Sequence, residues 1–399
     1  MLVPTTSVYQ NAPAPALSLE AAVQEALKQH RRLAAGRKDA TAARLGVRSA
    51  QALTNPDFYF SPALDQFNGT TEEMLITQPL ELNGTRAART GVARAQLGIA
   101  EAMLATETRE VVAAVKTAYI GLWRERELAT LAASVTQNAS TLHQLTQKQV
   151  ELGSRAGIDT AQTGLEVIRA RQNETLARAR VKQAETALNV AIGRGAEAPL
   201  PNVELPIMKM EVPAPEIAVK AALETRAELA GESSRQEGLR QEARLYRAEG
   251  RPDIAPQFRS QYVTFQRPKR SDYGFSLAIR LPFVDWGGRK GRIAQAEAAA
   301  QAQDDRIAQA RREIEKEVRQ ALTRLAGATE IVGGYAHALP EAERLLRATR
   351  IGLEEGKMSV LAVLEAQRSY RATLTEYTEA RADLALAQAE LTRVMGGAK

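Results

Sequence analysis

A chain of 399 residues with only 5% aromatics, dominated by Ala, Leu, Arg, Glu and Gln, has the composition of long helices and coiled coils, so its class is mainly α. Its 53 basic and 47 acidic residues are interspersed and leave a net charge of +6, a pattern of solvated helix faces that, without basic runs interleaved with aromatics, excludes nucleic acid as a partner. Cysteine is absent, which excludes a disulfide framework, a thiolate metal site, a cysteine nucleophile and a lipid-acceptor cysteine within this sequence.

Residues 1–16 read as an N-terminal arm. Residues 1–18 have neither a basic start nor an apolar core, so they are not a signal peptide as they stand, and the chain reads as cytosolic or as a mature sequence whose signal has been removed. No window approaches eighteen consecutive apolar residues, so no helix is expected to span a bilayer. A helix opens near Leu17: Ser18 can cap it, and Leu19, Val23 and Leu27 recur along one face. The pattern runs on to about Leu53, where Asn55, Pro56 and Asp57 stop it. Residues 57–82 read as a β-hairpin, with Phe58, Tyr59 and Phe60 before the turn formers Asn68 and Gly69, and Met74, Leu75 and Ile76 after them.

The stretch 78–86, Gln-Pro-Leu-Glu-Leu-Asn-Gly-Thr-Arg, is an elbow from strand to helix. Pro79 is expected to end strand pairing and Gly84 to permit the sharp turn before Arg86. A long helix over 86–150 carries apolar residues at sevens: Leu97, Leu104, Val111 and Ala118, then, after a phase shift, Leu128, Val135 and Leu142. Such a repeat means knobs-into-holes packing against neighbouring helices, and the helix makes a rod of roughly 95 Å. It ends in a tip over 151–158, where Gly153 is a natural C-cap, and a return helix reaches about Ile192. Residues 196–215, rich in Gly and Pro, read as a linker between a first repeat (17–195) and a second (216–399).

The second repeat runs in the same order. A helix over 216–249 meets Arg251, Pro252 and Asp253, and a hairpin over 253–283 folds around 266–270. On its second strand Tyr273, Phe275, Leu277, Ile279 and Leu281 share one face, and Gly274, Ser276, Ala278 and Arg280 the other. The second elbow, Leu-Pro-Phe-Val-Asp-Trp-Gly-Gly-Arg over 281–289, supplies Pro282, Trp286, Gly287, Gly288 and Arg289. A long helix over 289–353 keeps unbroken sevens from Val318 to Leu353, with Gly333, Gly334 and Pro340 expected to kink it without ending the pattern. A tip over 354–359 and a return helix over 360–395 follow. One shift of 203 residues superposes Pro79 on Pro282, Arg86 on Arg289, Leu122 on Leu325 and Gly153 on Gly356, which predicts an internal duplication whose helix, stop, hairpin, elbow, rod and tip all coincide.

Two isolated hairpins leave their edges unpaired, and four strands cannot close a barrel, so several copies must pool them. Strands of about ten residues with one apolar face have the length a membrane β-strand needs, and three chains would give twelve strands. At this point the sequence resembles a known family. The helix opening near Leu17 with its stop at Asn55 and Pro56, the 78–86 elbow, the Gly153 and Gly356 tips and the two-fold repeat are similar to the TolC-type outer membrane factors, the outer membrane efflux proteins of bacterial tripartite systems. The stretch from Gln78 to Arg89 is most similar to the CzcC-like heavy-metal-resistance branch, although that branch shows two glycines and a basic residue where this chain has Asn83, Gly84 and Thr85.

The resemblance implies a homotrimer: a twelve-stranded barrel in outer-membrane lipid that continues as an α-helical tunnel across the periplasm. Its tip would be opened by a periplasmic adaptor coupled to an inner-membrane pump, of the RND type in preference to an ABC exporter. It implies a passive exit duct for heavy metals or small molecules, with no cofactor and no catalysis. A channel for drug efflux or type I protein secretion has the same pattern, since pump and adaptor choose the cargo. The alternative of another class, a soluble coiled-coil scaffold, explains the heptads but not the two hairpins.

Within the family a Gly followed five to seven residues later by Asp is common at both tips. Here Asp159 follows Gly153, and Ala362 stands at the matching place after Gly356. Asp159 therefore has two readings: a carboxylate lining the aperture and favouring cations, or an ordinary cap of the returning helix. Arg155, Glu354, Glu355 and Lys357 are expected to pair within the tips or meet the adaptor. His30, His143 and His337 have no second ligand at helical spacing, and the seven methionines form no cluster, so no metal site is expected. Tyr119 and Trp123 read as packed between helices, and Trp286 as an interfacial anchor. Nucleophile-elbow, phosphate-loop and zinc-protease motifs are absent from the sequence, which does not read as an enzyme.

Overall fold

The computed structural model describes residues 16–62, 71–153, 156–206, 212–263, 270–282 and 284–397, so the turn with Asn68 and Gly69, most of the second hairpin turn, and Arg155 lie outside the described residues. The chain order is α1 (Leu19–Gln29), α2 (Arg31–Gln51), β1 (Asp57–Ser61), β2 (Thr71–Thr77), α3 (Thr85–Glu151), α4 (Gly157–Ile192), α5 (Pro215–Thr225), α6 (Ala227–Ala248), β3 (Asp253–Val263), β4 (Arg270–Arg280), α7 (Gly288–Glu354) and α8 (Val360–Val394). Both long helices, α3 and α7, have 67 residues, and Pro340 sits inside α7 without interrupting it.

Three features differ from the sequence reading. First, the helix expected from Leu17 to Leu53 is two helices, and so is that over 216–249. His30 and Arg226 are extended between them, with ψ of 121° and 118°. Neither break has a Gly or Pro; each coincides with a close backbone approach from the end of a return helix. Gly193, in the left-handed region, lies where a Cβ would stand 3.3 Å from the Cα of His30, and Gly396 abuts Thr225, whose hydroxyl donates to Met395 O at 2.8 Å.

Second, the single shift of 203 holds only from the elbows onward. α3 and α7 start 203 residues apart, but α1 and α5, α2 and α6, and β1 and β3 start 196 apart, so the second hairpin carries a seven-residue insertion. β1 and β2 have 5 and 7 residues against 11 in β3 and β4.

Third, the described part of the 196–215 linker is held in place, a detail the sequence reading did not include. Leu17 pairs with Val203 in a parallel bridge, and the Tyr119 hydroxyl, on a residue 1% exposed, donates to Leu17 O at 2.6 Å and accepts from Glu204 N at 3.2 Å. Asn189 Nδ2 and Arg126 hold Ala198 O and Pro201 O, each at 2.8 Å.

The chain divides into two compact units. Unit 1 (residues 1–34, 107–225 and 314–399) centres on a cluster in which Leu19, Val23 and Leu33 meet Val115, Ile120 and Leu122 of α3 and Leu188 and Ile192 of α4, with Trp123 also buried. A second cluster joins Leu142 to Leu353, Val360, Val363 and Leu364. Across this unit Arg194 grips Glu25 with Nε at 2.6 Å and a second bond from Nη2, and this pairing holds the Glu25 carboxyl below its ordinary value of 4.5. A depressed folded pKa contributes stability that is full above the unfolded value and lost as pH falls through the folded one. The stability difference between wild type and Glu25→Gln is therefore expected to be constant near neutrality and to shrink below about pH 4.5, measured by denaturant unfolding across pH 3–7.

Unit 2 (35–106 and 226–313) holds the sheet and a close helix seam. Along α3 and α6, which run antiparallel there, small residues alternate. A Cβ on Gly231 would stand 3.1 Å from that of Ala102, and one on Gly238 3.3 Å from that of Ala95, while Gly98 faces Ser234 and Gly91 faces Gln241. Cβ-sized gaps on alternating sides let the two backbones approach.

Candidate functional site

The four strands form one antiparallel sheet in the order β1-β2-β3-β4, so both hairpins join through β2 and β3. The registers place Phe58 and Phe60, Met74 and Ile76, Ile254, Pro256 and Phe258, and Tyr273, Phe275, Leu277 and Ile279 on one face. This face is apolar and open: Phe275 is 87% exposed, and its ring lies 5.2 Å from that of Phe258. Glu72 and Ser271 lie toward the hairpin turns on this face, beyond the aromatic band.

The opposite face is mostly polar, with Tyr59 and Leu75 its large apolar members. Arg259 pairs with Glu73 at 2.6 Å, and Gln257 Nε2 donates to the Thr77 hydroxyl at 3.0 Å. An open sheet with one apolar and one polar face, and with outer edges on β1 and β4, can close only by meeting further strands.

Both elbows are built by polar anchors that the sequence reading did not single out. Pro79 does not end pairing: the N–H groups of Gln78 and Leu80 donate to Pro256 O and Ile254 O at 3.1 and 3.2 Å. Ladder bonds to one neighbour recur at alternate residues, so the missing donor of Pro79 falls between them. Gly84 has φ of +92°, and Asn83 Oδ1 accepts from Thr85 N at 3.0 Å at the start of α3. Glu81 is held at φ of +54° while Arg89 grips its carboxylate at 2.6 and 3.1 Å and also donates to Ala50 O and Ala52 O. Burial would raise the Glu81 pKa, but the bonds from Arg89 and Thr54 outweigh it and hold the carboxyl below its ordinary value. Arg86 is exposed, and the arginine that pairs at this elbow is Arg89, about one turn later. Leu82 N donates to the buried Asp253 at 3.1 Å.

At the second elbow Gly287 takes φ of +94°, whereas Gly288 is simply the first residue of α7 and is not among the positive-φ glycines. Asp285 accepts from Arg289 N at 3.1 Å and Lys290 N at 3.4 Å, bonds that hold its carboxyl below the usual range, and Arg289 also donates to Pro282 O at 3.4 Å. Trp286 is 96% exposed. Asp285 could have been found from sequence as an acidic residue just ahead of a helix start; the Glu81–Arg89 pair could not, because it depends on a left-handed residue.

The tips belong to unit 1. Gly153 and Gly356 have φ of +71° and +73°, the αL geometry that closes a helix. Beyond Gly356 the N–H groups of Lys357 and Met358 both reach Gly352 O, at 2.8 and 2.9 Å, and Ser359 caps α8 by accepting from Ala362 N at 3.2 Å. Lys357 pairs with Glu355 at 2.7 Å in full view of solvent, and Glu354 is exposed.

The cap reading of Asp159 does not describe α4: Ala156 holds the N-cap position without a side-chain bond, and Asp159 stands half-buried in the first turn. There its charge meets the positive end of the helix. Its carbonyl accepts from the buried Thr163, whose hydroxyl also meets His143 Nδ1 at 2.9 Å, so His143 ties α3 to α4. Among the described residues no group of His, Asp or Glu is placed to hold a metal ion, and no helix is long and apolar enough to cross a membrane.

The family model described as outer membrane efflux protein matches residues 22–194 and again 218–397. The cobalt-zinc-cadmium resistance protein CzcC of Cupriavidus metallidurans is 27% identical over 98% of this chain and 92% of its own length. Among solved structures, CusC superposes with a TM-score of 0.81 at 18% identity over 99% of this chain and 97% of that one. VceC of Vibrio cholerae does so with a TM-score of 0.78 at 17% identity over 95% and 96%. These structural likenesses describe the fold.

Proposed function

Because the chain belongs to the outer membrane efflux protein family, we propose that it is the outer-membrane exit duct of a tripartite efflux system. In this reading three copies pool their four strands each into a twelve-stranded barrel, β1 of one copy pairing with β4 of the next, and the long helices continue the pore through the periplasm. The observation that carries it is the open four-stranded sheet whose one face is exposed and apolar while the other carries Glu73, Arg259, Gln257 and Thr77, the face that would line the pore. The 11-residue strands β3 and β4 have the length a tilted membrane strand needs, about 9–11 residues. Trp286 would sit at the inner membrane–water boundary. The partners are a periplasmic adaptor and an inner-membrane pump of the RND type, and the likeness to CzcC favours heavy-metal ions as cargo. The experiment is purification in detergent and reconstitution into planar bilayers: a trimer that inserts and conducts ions is the expected result, and a chain that neither trimerises nor inserts overturns the reading.

At the tip, Gly153, Asp159, Gly356 and Lys357, with the flanking Arg155, Glu354 and Glu355, would form the aperture. Three Asp159 carboxylates, one per copy, would favour cations. Asp159→Ala is expected to lower the cation preference in single-channel recordings several-fold, on the order of one screened charge interaction per copy. Unchanged conductance and selectivity would leave Asp159 a helix-dipole residue alone.

A further inference from the structure

In unit 1, four helices close around a small cavity of about 50 Å³, room for a few water-sized spheres. Leu131 and Val135 of α3 and Leu346 of α7 form its apolar wall. Its other wall is crowded with donors. Guanidinium groups of Arg368 and Arg371, and of Arg169, which does not line the cavity, each stand 3.8 Å from a carboxylate oxygen of Glu166, a side chain only 12% exposed. That separation exceeds hydrogen-bond length, so the charges attract but the carboxylate satisfies none of those donors through these contacts. Beside them Gln367 Nε2 is buried and has no hydrogen-bond partner. Arg350, exposed at the cavity and 3.4 Å from Asn138 Oδ1, adds a further cation; Arg368 Nη1 is already bonded to Glu365 at 2.6 Å, so against the carboxylates of Glu166 and Glu365 the lining arginines 350, 368 and 371 leave one positive charge.

A buried amide donor left unmet is costly, and guanidinium forks match the geometry of oxyanions. We propose that this cavity binds one small inorganic oxyanion per chain, held by Arg350, Arg371, Gln367 and the Nη2 side of Arg368, with Glu166 and, at Arg368, Glu365 as built-in competitors for the same guanidinium groups. The anion enters from the Arg350 side, completes the coordination that Glu166 leaves open, and links α7 to α8 through their arginines. The site does not depend on the duct reading, and it stands or falls whether or not the chain conducts ions.

The test is equilibrium dialysis of the full chain in detergent against radiolabelled sulfate, with gluconate holding ionic strength constant. Saturable binding of about one sulfate per chain is expected. Glu166→Gln should bind about tenfold more tightly, because one like charge within a few ångströms is removed. Arg371→Lys, which keeps the charge and loses the fork, should bind about tenfold more weakly, and Gln367→Leu should weaken binding several-fold without disturbing a charge. The Arg350→Ala/Arg371→Ala double variant should lose binding; Gln367→Leu and Arg371→Lys serve if that variant does not fold. No saturable sulfate on wild type and on Glu166→Gln, or binding that is the same in Gln367→Leu and Arg371→Lys as in wild type, overturns the proposal.

Discussion

Leu277→Arg is expected to remove the assembled protein from the outer membrane, while Ser276→Arg, one residue away, leaves it there. Leu277 pairs with Pro256 and lies between Phe275 and Ile279 on the exposed apolar face. An arginine facing lipid near the midplane costs about 2–4 kcal/mol per strand, and a three-copy barrel would bear that cost at three places. Ser276 is on the other face, its hydroxyl 3.5 Å from Gln257 Oε1, in the row that also carries Thr77. An arginine there joins a polar row with Gln257 and Thr77 and stays off the apolar face. The measurement is the fraction of folded, heat-modifiable protein in outer-membrane extracts. Equal tolerance of both substitutions would mean that the apolar face does not meet lipid, and the coiled-coil scaffold reading would gain.

The second large effect is expected at the α3–α6 seam. Gly231→Leu together with Gly238→Leu should lower stability by roughly 1–4 kcal/mol net, from about 1–3 kcal/mol of overpacking at each site less a helix-propensity gain. Helix propensity works the other way, because replacing a helical glycine gains up to about 1 kcal/mol each. Packing wins here because the first added carbon already lies 3.1 Å from Ala102 Cβ or 3.3 Å from Ala95 Cβ, both on a backbone-borne methyl that cannot swing aside. Gly46→Ala in α2, where a Cβ meets nothing within 4 Å, isolates the propensity term and should stabilise by about 0.5–1 kcal/mol. Guanidinium unfolding midpoints with unchanged slopes would report both. A neutral double variant would mean that α3 and α6 are not in close contact in solution.

Much of the fold was legible because its determinants are local and repeated. The seven-residue period over Leu97 to Leu142 and Val318 to Leu353 needs only the helix pitch to be read, and each of those positions is at least half-buried. Gly153 and Gly356 were legible as αL residues because a helix end prefers glycine there. The apolar face of β4 follows from strand alternation, but its continuation across β1, β2 and β3 depends on register, which pairing alone sets.

The sequence by itself determined the duplicated order of elements, the long helices, the tips and the apolar strand face, since each follows from periodicity or from the φ preference of a single residue. Only the tertiary structure decided the rest. The breaks at His30 and Arg226 accompany glycines arriving from α4 and α8, at Gly193 and Gly396. The pinning of 198–204 by Tyr119, Asn189 and Arg126 and the grip of Arg89 on Glu81 join groups whose pairing no local rule specifies. The same holds for Glu166 and the arginines around it. A side chain's partner across two helices is fixed by how the backbones pack, and that information lies in the whole chain at once.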